Sequence, residues 1–438
     1  MDSMKVVRFD QALTGAEKVI ESEMTESLDV IVIVRDVYGR IRVAIDDRKA
    51  HSSTLKENLV RVTSKLHAAL GAYSPGEQSL FLFASEMMAP DEIFSALELT
   101  GTNLNRRVRL LDRQLVGTDW NRPPFEGESA NRLVLYGIKG GVGRSTAASV
   151  LCWKMAQSGK RVLILDLDLE SPGLGATLLP EPKEPDYGIV DWFVEDALGQ
   201  AGDAMLPDMI ARSPLGDGGG DVVVVPAGGR FRAEYTYLPK LARCYADVVD
   251  SEARLEFGDR LHQLVRSLER MVAPDITILD SRAGLHDIAA IAVTRLNALS
   301  LLFAVDSPQT WRAYELLFQG WNSNPSRTAR FRENLKMVAA QVPETETVPY
   351  LESFREHAYQ VFERQLYEES APDAESTFNF DVKDPEAPHF PLRINWSRSI
   401  QQFDPIRKPE SITTEQLTAA FGDFVNQTSQ MIFGDVAR

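Results

Sequence analysis

The chain has 438 residues, a length that fits two domains better than one core, and a composition of 44% apolar and 25% charged residues, which is that of a globular protein. A formal net charge of −16 repels free DNA, RNA and anionic lipid on average, so nucleic acid is an unfavoured partner. Cys152 and Cys244 are the only cysteines, residues 1–11 lack the apolar core of a secretory leader, and no apolar run approaches the ~20 residues that span a bilayer; a cytoplasmic protein with no disulfide framework and no membrane insertion is expected.

The first elements in chain order are mixed. Residues 30–34 and 41–45 flank Tyr38-Gly39 and read as a hairpin. Residues 53–70 place Leu55, Leu59, Val62, Leu66 and Leu70 on one helical stripe. Residues 79–83 read as a strand, Pro90-Asp91-Glu92 opens a short helix reaching about Leu99, and residues 107–116 read as a last strand. The sum is a small α+β domain over residues 1–116, expected to serve interaction or regulation, since His51 and His67 stand alone and no catalytic constellation is present. Residues 117–131, rich in proline and glycine up to Gly127, read as a linker.

Beyond the linker the pattern changes. Short apolar runs at 133–138, 162–165, 222–225, 276–279, 298–305 and 335–340 alternate with helical stretches. That is the pattern of a parallel sheet covered on both faces, which binds ligands at the carboxyl ends of its strands. The first run enters Lys139-Gly140-Gly141-Val142-Gly143-Arg144-Ser145-Thr146, and a helix follows to about Gln157. Glycines let several backbone N–H groups curl toward a phosphate, and the helix N-terminus adds partial positive charge at the same place. The Ser145 hydroxyl suits Mg²⁺. The second run ends in Asp166-Leu167-Asp168, two carboxylates that strand alternation points to one side; a cation beside them and a cap on the following turn are both open readings. The run at 276–279 ends in Asp280-Ser281-Arg282-Ala283-Gly284, an apolar strand closing on an aspartate that can hold Mg²⁺ directly or through water.

The segment Lys139 to Thr146 resembles the deviant Walker A loop of the ParA/MinD ATPases, whose pattern is KGGxGK[ST][ST], and the motif spacing extends the resemblance over residues 132–438 but not over 1–127. The resemblance implies an α/β P-loop NTPase fold, ATP and Mg²⁺ as cofactors, and an ATP-dependent sandwich homodimer that hydrolyses slowly and controls a protein partner. Under it, Gly140, Gly141, Val142, Gly143, Arg144, Ser145 and Thr146 cradle the phosphates. Lys139 reaches the nucleotide of the partner subunit, and Asp168 positions the attacking water. Asp166 and Asp280 join Ser145 at the metal, and Gln341 contacts the base edge. One position departs: Arg144 stands where the family has its second lysine. Arginine keeps the charge but is bulkier, so a nucleotide-sensing scaffold without turnover is the alternative function. Arg282, where the family often has proline, reads equally as a phosphate or partner contact and as a surface salt bridge. Residues 368–388 read as a long acidic surface loop. The last helix, residues 413–432, lacks the basic stripe of membrane-binding relatives, so core packing is expected for it.

Overall fold

The computed structural model describes residues 6–24, 30–48, 52–102, 104, 107–127, 131–216, 219–249, 254–369, 377–401 and 403–434, with the side chains of 52–58 and 411 left aside. His51 and the Leu55 side chain lie outside these described residues. The chain divides into two compact units, Met1–Arg122 and Pro123–Arg438.

The first unit is built on strands β1 (Ile31–Arg35), β2 (Ile41–Ile45), β3 (Phe81–Phe83), β4 (Thr100–Gly101) and β5 (Val108–Asp112), in the order β3-β2-β1-β5-β4. β1 and β2 form the expected antiparallel hairpin, closed where the Asp36 carboxylate accepts the Tyr38 and Arg40 N–H groups at 2.9 Å each. Strand alternation sends Ile31, Ile33, Ile41, Val43 and Ile45 to the face covered by the helices Phe9–Glu23 and Ser52–Leu70, while Val32, Val34, Ala44 and Leu111 form a smaller cluster on the other face. The helix Phe9–Glu23 is not visible in the hydrophobic pattern because its buried stripe is mostly small, Ala12, Ala16 and Ile20. Three expected elements are shorter: the strand read over 79–83 spans Phe81–Phe83, the helix meant to reach Leu99 ends at Phe94, and the last strand ends at Asp112. β5 pairs with β1, which offers only the five residues Ile31 to Arg35, so its ladder stops with its partner.

The second unit carries β6 (Arg132–Gly137), β7 (Arg161–Leu167), β8 (Ala211–Arg212), β9 (Asp221–Val225), a small hairpin of β10 (Val248–Val249) and β11 (Arg254–Leu255), then β12 (Ile276–Ser281), β13 (Leu299–Ala304), β14 (Leu335–Val342) and β15 (Leu392–Asn395). Eight strands make one sheet in the order β15-β14-β13-β6-β12-β7-β9-β8, all parallel except the short edge strand β8. Leu133, Leu135, Ile164, Ile278 and Phe303 point to a face shared with the helices Arg144–Gln157 and Thr414–Phe433. The alternate residues Val134, Tyr136, Leu163, Leu165 and Leu279 are equally buried, so both faces of the sheet are covered. Leu417, Phe421 and Phe424 of the last helix pack in this core, as the missing basic stripe implied.

In the segment 368–388, residues 370–376 lie outside the described residues; the rest is an irregular loop with exposed acidic residues, Glu368, Glu369, Asp381 and Glu386 among them, anchored by the buried Phe378, Ala387 and Pro388. The buried Lys336 ammonium explains the order. It donates to the carbonyls of Pro385 (2.8 Å) and Ala387 (2.9 Å), and the Met337 N–H donates to Pro388 (2.8 Å). This strap delivers the chain to β15, an edge strand too short to announce itself in sequence.

Candidate functional site

The glycine-rich loop lies at the carboxyl end of β6, in the middle of the sheet. Gly141 (φ +76°) and Gly143 (φ +81°) sit in the left-handed region, where a Cβ would strain the backbone, so the glycines are required by the shape of the turn. Gly143 is also the N-cap of the helix Arg144–Gln157. The loop is held from outside as well. Gln341, itself at φ +55°, donates from Nε2 to the Gly141 carbonyl at 2.8 Å, and the Gly284 N–H donates to the Gly137 carbonyl at 3.1 Å.

β12 lies between β6 and β7, and its register makes Asp280 the cross-strand partner of Asp166. Both carboxylates are buried. Desolvation, then the charge of Asp280, pushes Asp166 up to about 7; desolvation pushes Asp280 up to about 6 against the pull of Arg144 and of a hydrogen bond to Ser145. Asp166 is held by backbone: its carboxylate accepts the N–H groups of Asp168 (3.2 Å), Gly173 (3.1 Å) and Leu174 (3.0 Å), which fixes the turn after β7. Asp280 Oδ1, by contrast, is a buried oxygen with no hydrogen-bond partner. An orphaned anionic oxygen beside the Ser145 hydroxyl is what a hard divalent cation needs from a protein that leaves its other ligands to phosphate and water. The donor set present therefore fits Mg²⁺. No group of three His, Cys, Asp or Glu side chains that could hold a metal ion is present among the described residues.

Arg144 takes an arrangement that its sequence position does not announce. Its side chain is buried; Nη1 donates to the Ser281 carbonyl and Nη2 lies 3.4 Å from Asp168 Oδ2. The guanidinium thus ties the loop to the tips of both β7 and β12. Asp168 is raised by burial and pulled back chiefly by Arg144. Lys139 is exposed. Arg282 forms an ion pair with Glu170, and Glu170 also accepts the Tyr245 hydroxyl at 2.7 Å, so the salt-bridge reading of Arg282 describes the geometry. The sequence also missed the hold of Gln341 on Gly141. The strand-end position and left-handed turn of Gln341 bring it there, and only tertiary register reveals it.

A parallel sheet whose central strand opens into a glycine loop and helix, with aspartates on two adjacent strand tips, defines a P-loop nucleotide-binding domain. Residues 133–358 match the family described as the CobQ/CobB/MinD/ParA nucleotide binding domain, which is more than half of the chain, and the chain belongs to that family. Among solved structures, it is similar to the MinD cell division protein of Aquifex aeolicus (16% identity, 68% of this chain and 97% of that one, TM-score 0.40). It is also similar to a ParA family ATPase from Chlorobium tepidum (14% identity, 68% and 99%, TM-score 0.41). A third is the kinase domain of the Escherichia coli tyrosine kinase ETK (22% identity, 43% and 63%, TM-score 0.29), of which the chain spans less than two thirds. The family assignment rests on the sequence match and strand arrangement, not on these scores. No curated protein sequence matches the chain.

Proposed function

We propose that the chain is an ATP-operated molecular switch of the ParA/MinD type. In this reading ATP and Mg²⁺ bind at Lys139–Thr146 and bring two copies together as a sandwich homodimer. Slow hydrolysis to ADP and phosphate releases them, and the Met1–Arg122 unit selects a protein partner. The observation that carries the reading is the unpartnered Asp280 Oδ1 buried beside Ser145 at the end of the phosphate loop.

In the proposed mechanism the N–H groups of Gly140, Gly141, Val142 and Gly143, with those opening the helix at Arg144, Ser145 and Thr146, bind and orient the phosphate tail. Ser145 and Asp280 hold the metal, and Asp166 supports its outer shell while anchoring the turn after β7. Bound Mg²⁺ supplies charge neutralisation at the transferring phosphoryl group. Asp168 orients the attacking water, Gln341 contacts the base edge, and Lys139 reaches the nucleotide of the partner subunit. The two buried free cysteines support a reducing, cytoplasmic setting.

Light scattering tests this reading. The molar mass should double with ATP and Mg²⁺ and stay monomeric in the Lys139→Ala variant; a mass indifferent to nucleotide would overturn the dimer. A second reading, a nucleotide sensor with little turnover, is favoured by the contact between Arg144 and Asp168, which engages the proposed water-orienting carboxylate. ATP binding with phosphate release that is absent, and unaltered in Asp168→Ala, would select the sensor.

A further inference from the structure

A cavity of about 300 Å³ opens at the carboxyl ends of β7 and β9 and is lined by Asp166. One wall is the turn Pro172-Gly173 with Gly175 and Ala176; the other is the run Pro226 to Gly229. The second wall is rigidly built. Asp191, 2% exposed, accepts the N–H groups of Gly188 (2.7 Å) and Gly229 (2.9 Å), the Tyr235 hydroxyl (2.9 Å) and the Lys240 ammonium (2.5 Å). Backbones approach so closely there that a Cβ on Gly229 would lie 2.1 Å from the Asp186 carbonyl. The Tyr237 hydroxyl on the lining is also committed, to the Leu169 carbonyl at 2.6 Å.

Two carboxylates line this space. Asp166 is held by its three backbone donors, whereas Glu184 has no hydrogen bond or ion pair to its carboxylate among the described residues, and burial raises it above the usual carboxylate range. No lysine or arginine is among the described lining residues. Arg407 and Arg230 pull the Glu184 carboxyl down by their charge without bonding to it: Arg230 pairs with Asp186, and Arg407 donates to the Ala176 carbonyl on the cavity wall. The remaining lining is apolar, and at its mouth Phe231 is 86% exposed, an aromatic ring with nothing resting on it.

We infer that this cavity, which borders the proposed nucleotide site at Asp166, is a binding site for a small primary amine: an ammonium paired with Glu184, on an apolar stem lying between the two walls and under Phe231. The volume is at the lower end of small-molecule sites, and two carboxylates on the lining, one of them with no direct hydrogen bond or ion pair, favour a cation over a neutral ligand of the same shape.

The test uses the full chain and 2-phenylethylamine, with 2-phenylethanol as its uncharged counterpart, in titration calorimetry and NMR line-shape measurements. The amine should bind saturably and about tenfold or more tighter than the alcohol, the difference of one good charge-assisted contact. Glu184→Gln should erase that difference, and Phe231→Ala should weaken both compounds alike. Nα-acetyl-lysine methylamide, which carries the ammonium as a protein side chain does, separates the sources: tighter binding than the free amine assigns the site to a docked lysine, weaker binding to a metabolite. No saturable binding of any amine, equal binding of amine and alcohol, or a preference that survives Glu184→Gln would each overturn the inference. ATP affinity, followed in parallel with a fluorescent analogue, should be the same in Glu184→Gln and in the wild type. Its failure in the wild type would count against the nucleotide reading alone.

Discussion

Arg144 Nη2 stands 3.4 Å from Asp168 Oδ2 while Nη1 of the same guanidinium donates to the Ser281 carbonyl. The residue expected to hold phosphate therefore holds the two acidic strand tips instead. A lysine here has one compact charge and cannot reach both acceptors with a planar fork. Arg144→Lys should release Asp168 and raise phosphate release by about tenfold, the effect of about 1.4 kcal/mol at the barrier. Arg144→Ala should leave turnover low and weaken ATP binding. Steady-state phosphate release and equilibrium binding separate the two; unchanged turnover in Arg144→Lys would mean that the contact with Asp168 does not restrain the site.

Asp280 gives a prediction with two opposite signs. Its carboxyl is raised to about 6, so the folded chain binds the proton more tightly than the unfolded one does, and stability present at acid pH is lost as pH rises through 6. Asp280→Asn mimics the protonated form. At pH 7.5 and without metal it should raise the melting temperature, yet it should weaken Mg²⁺-dependent nucleotide binding by tenfold or more, on the order of 1.4 kcal/mol. Calorimetry in EDTA and nucleotide titration in Mg²⁺ check the two arms.

Phe424 of the last helix is fully buried and packs edge-to-face on Phe303 of β13, with ring centroids 6.1 Å apart. Phe424→Ala should cost about 3–4 kcal/mol in denaturant unfolding. A change near zero would mean that the helix is not seated in the core.

His262 stacks on Phe125 at 4.1 Å, and burial, then Arg132 and Arg266, pushes its imidazole down to about 4. The unfolded chain takes up a proton near pH 6.5, whereas the folded chain waits until about pH 4, so stability held above 6.5 is lost as pH falls between those values. In melts from pH 7 to 5, His262→Gln should show a shallower decline than the wild type. Parallel declines would assign the acid sensitivity to other groups.

Much of the second unit was legible because its signals are local. The apolar runs at 133–138, 162–165 and 276–279 lead directly into the glycine loop, Asp166 and Asp280, and a strand, glycine loop and helix in order mark a P-loop. Strand alternation also put Asp166 and Asp168 on one side, and the alternative that one of them caps a turn describes Asp166. The rest depended on pairing. That Asp280 faces Asp166, and that Arg144 bridges to Asp168, follow from β12 lying between β6 and β7, an order that no local pattern encodes. The helix Phe9–Glu23 of the first unit escaped notice because alanines carry little hydrophobic signal, and the anchoring of the strap before β15 in the second did so because it comes from Lys336 and Met337 in another strand.

The bond from Gln341 to the Gly141 carbonyl joins positions 200 residues apart in the chain. The loop's resting curvature is therefore a product of the assembled sheet and not of the eight-residue motif by itself. A synthetic peptide carrying the strand, turn and helix would lack that clasp, and its glycines would sample many bends. What is diagnostic in the one-dimensional string becomes a receptor only after its most distant neighbour has arrived.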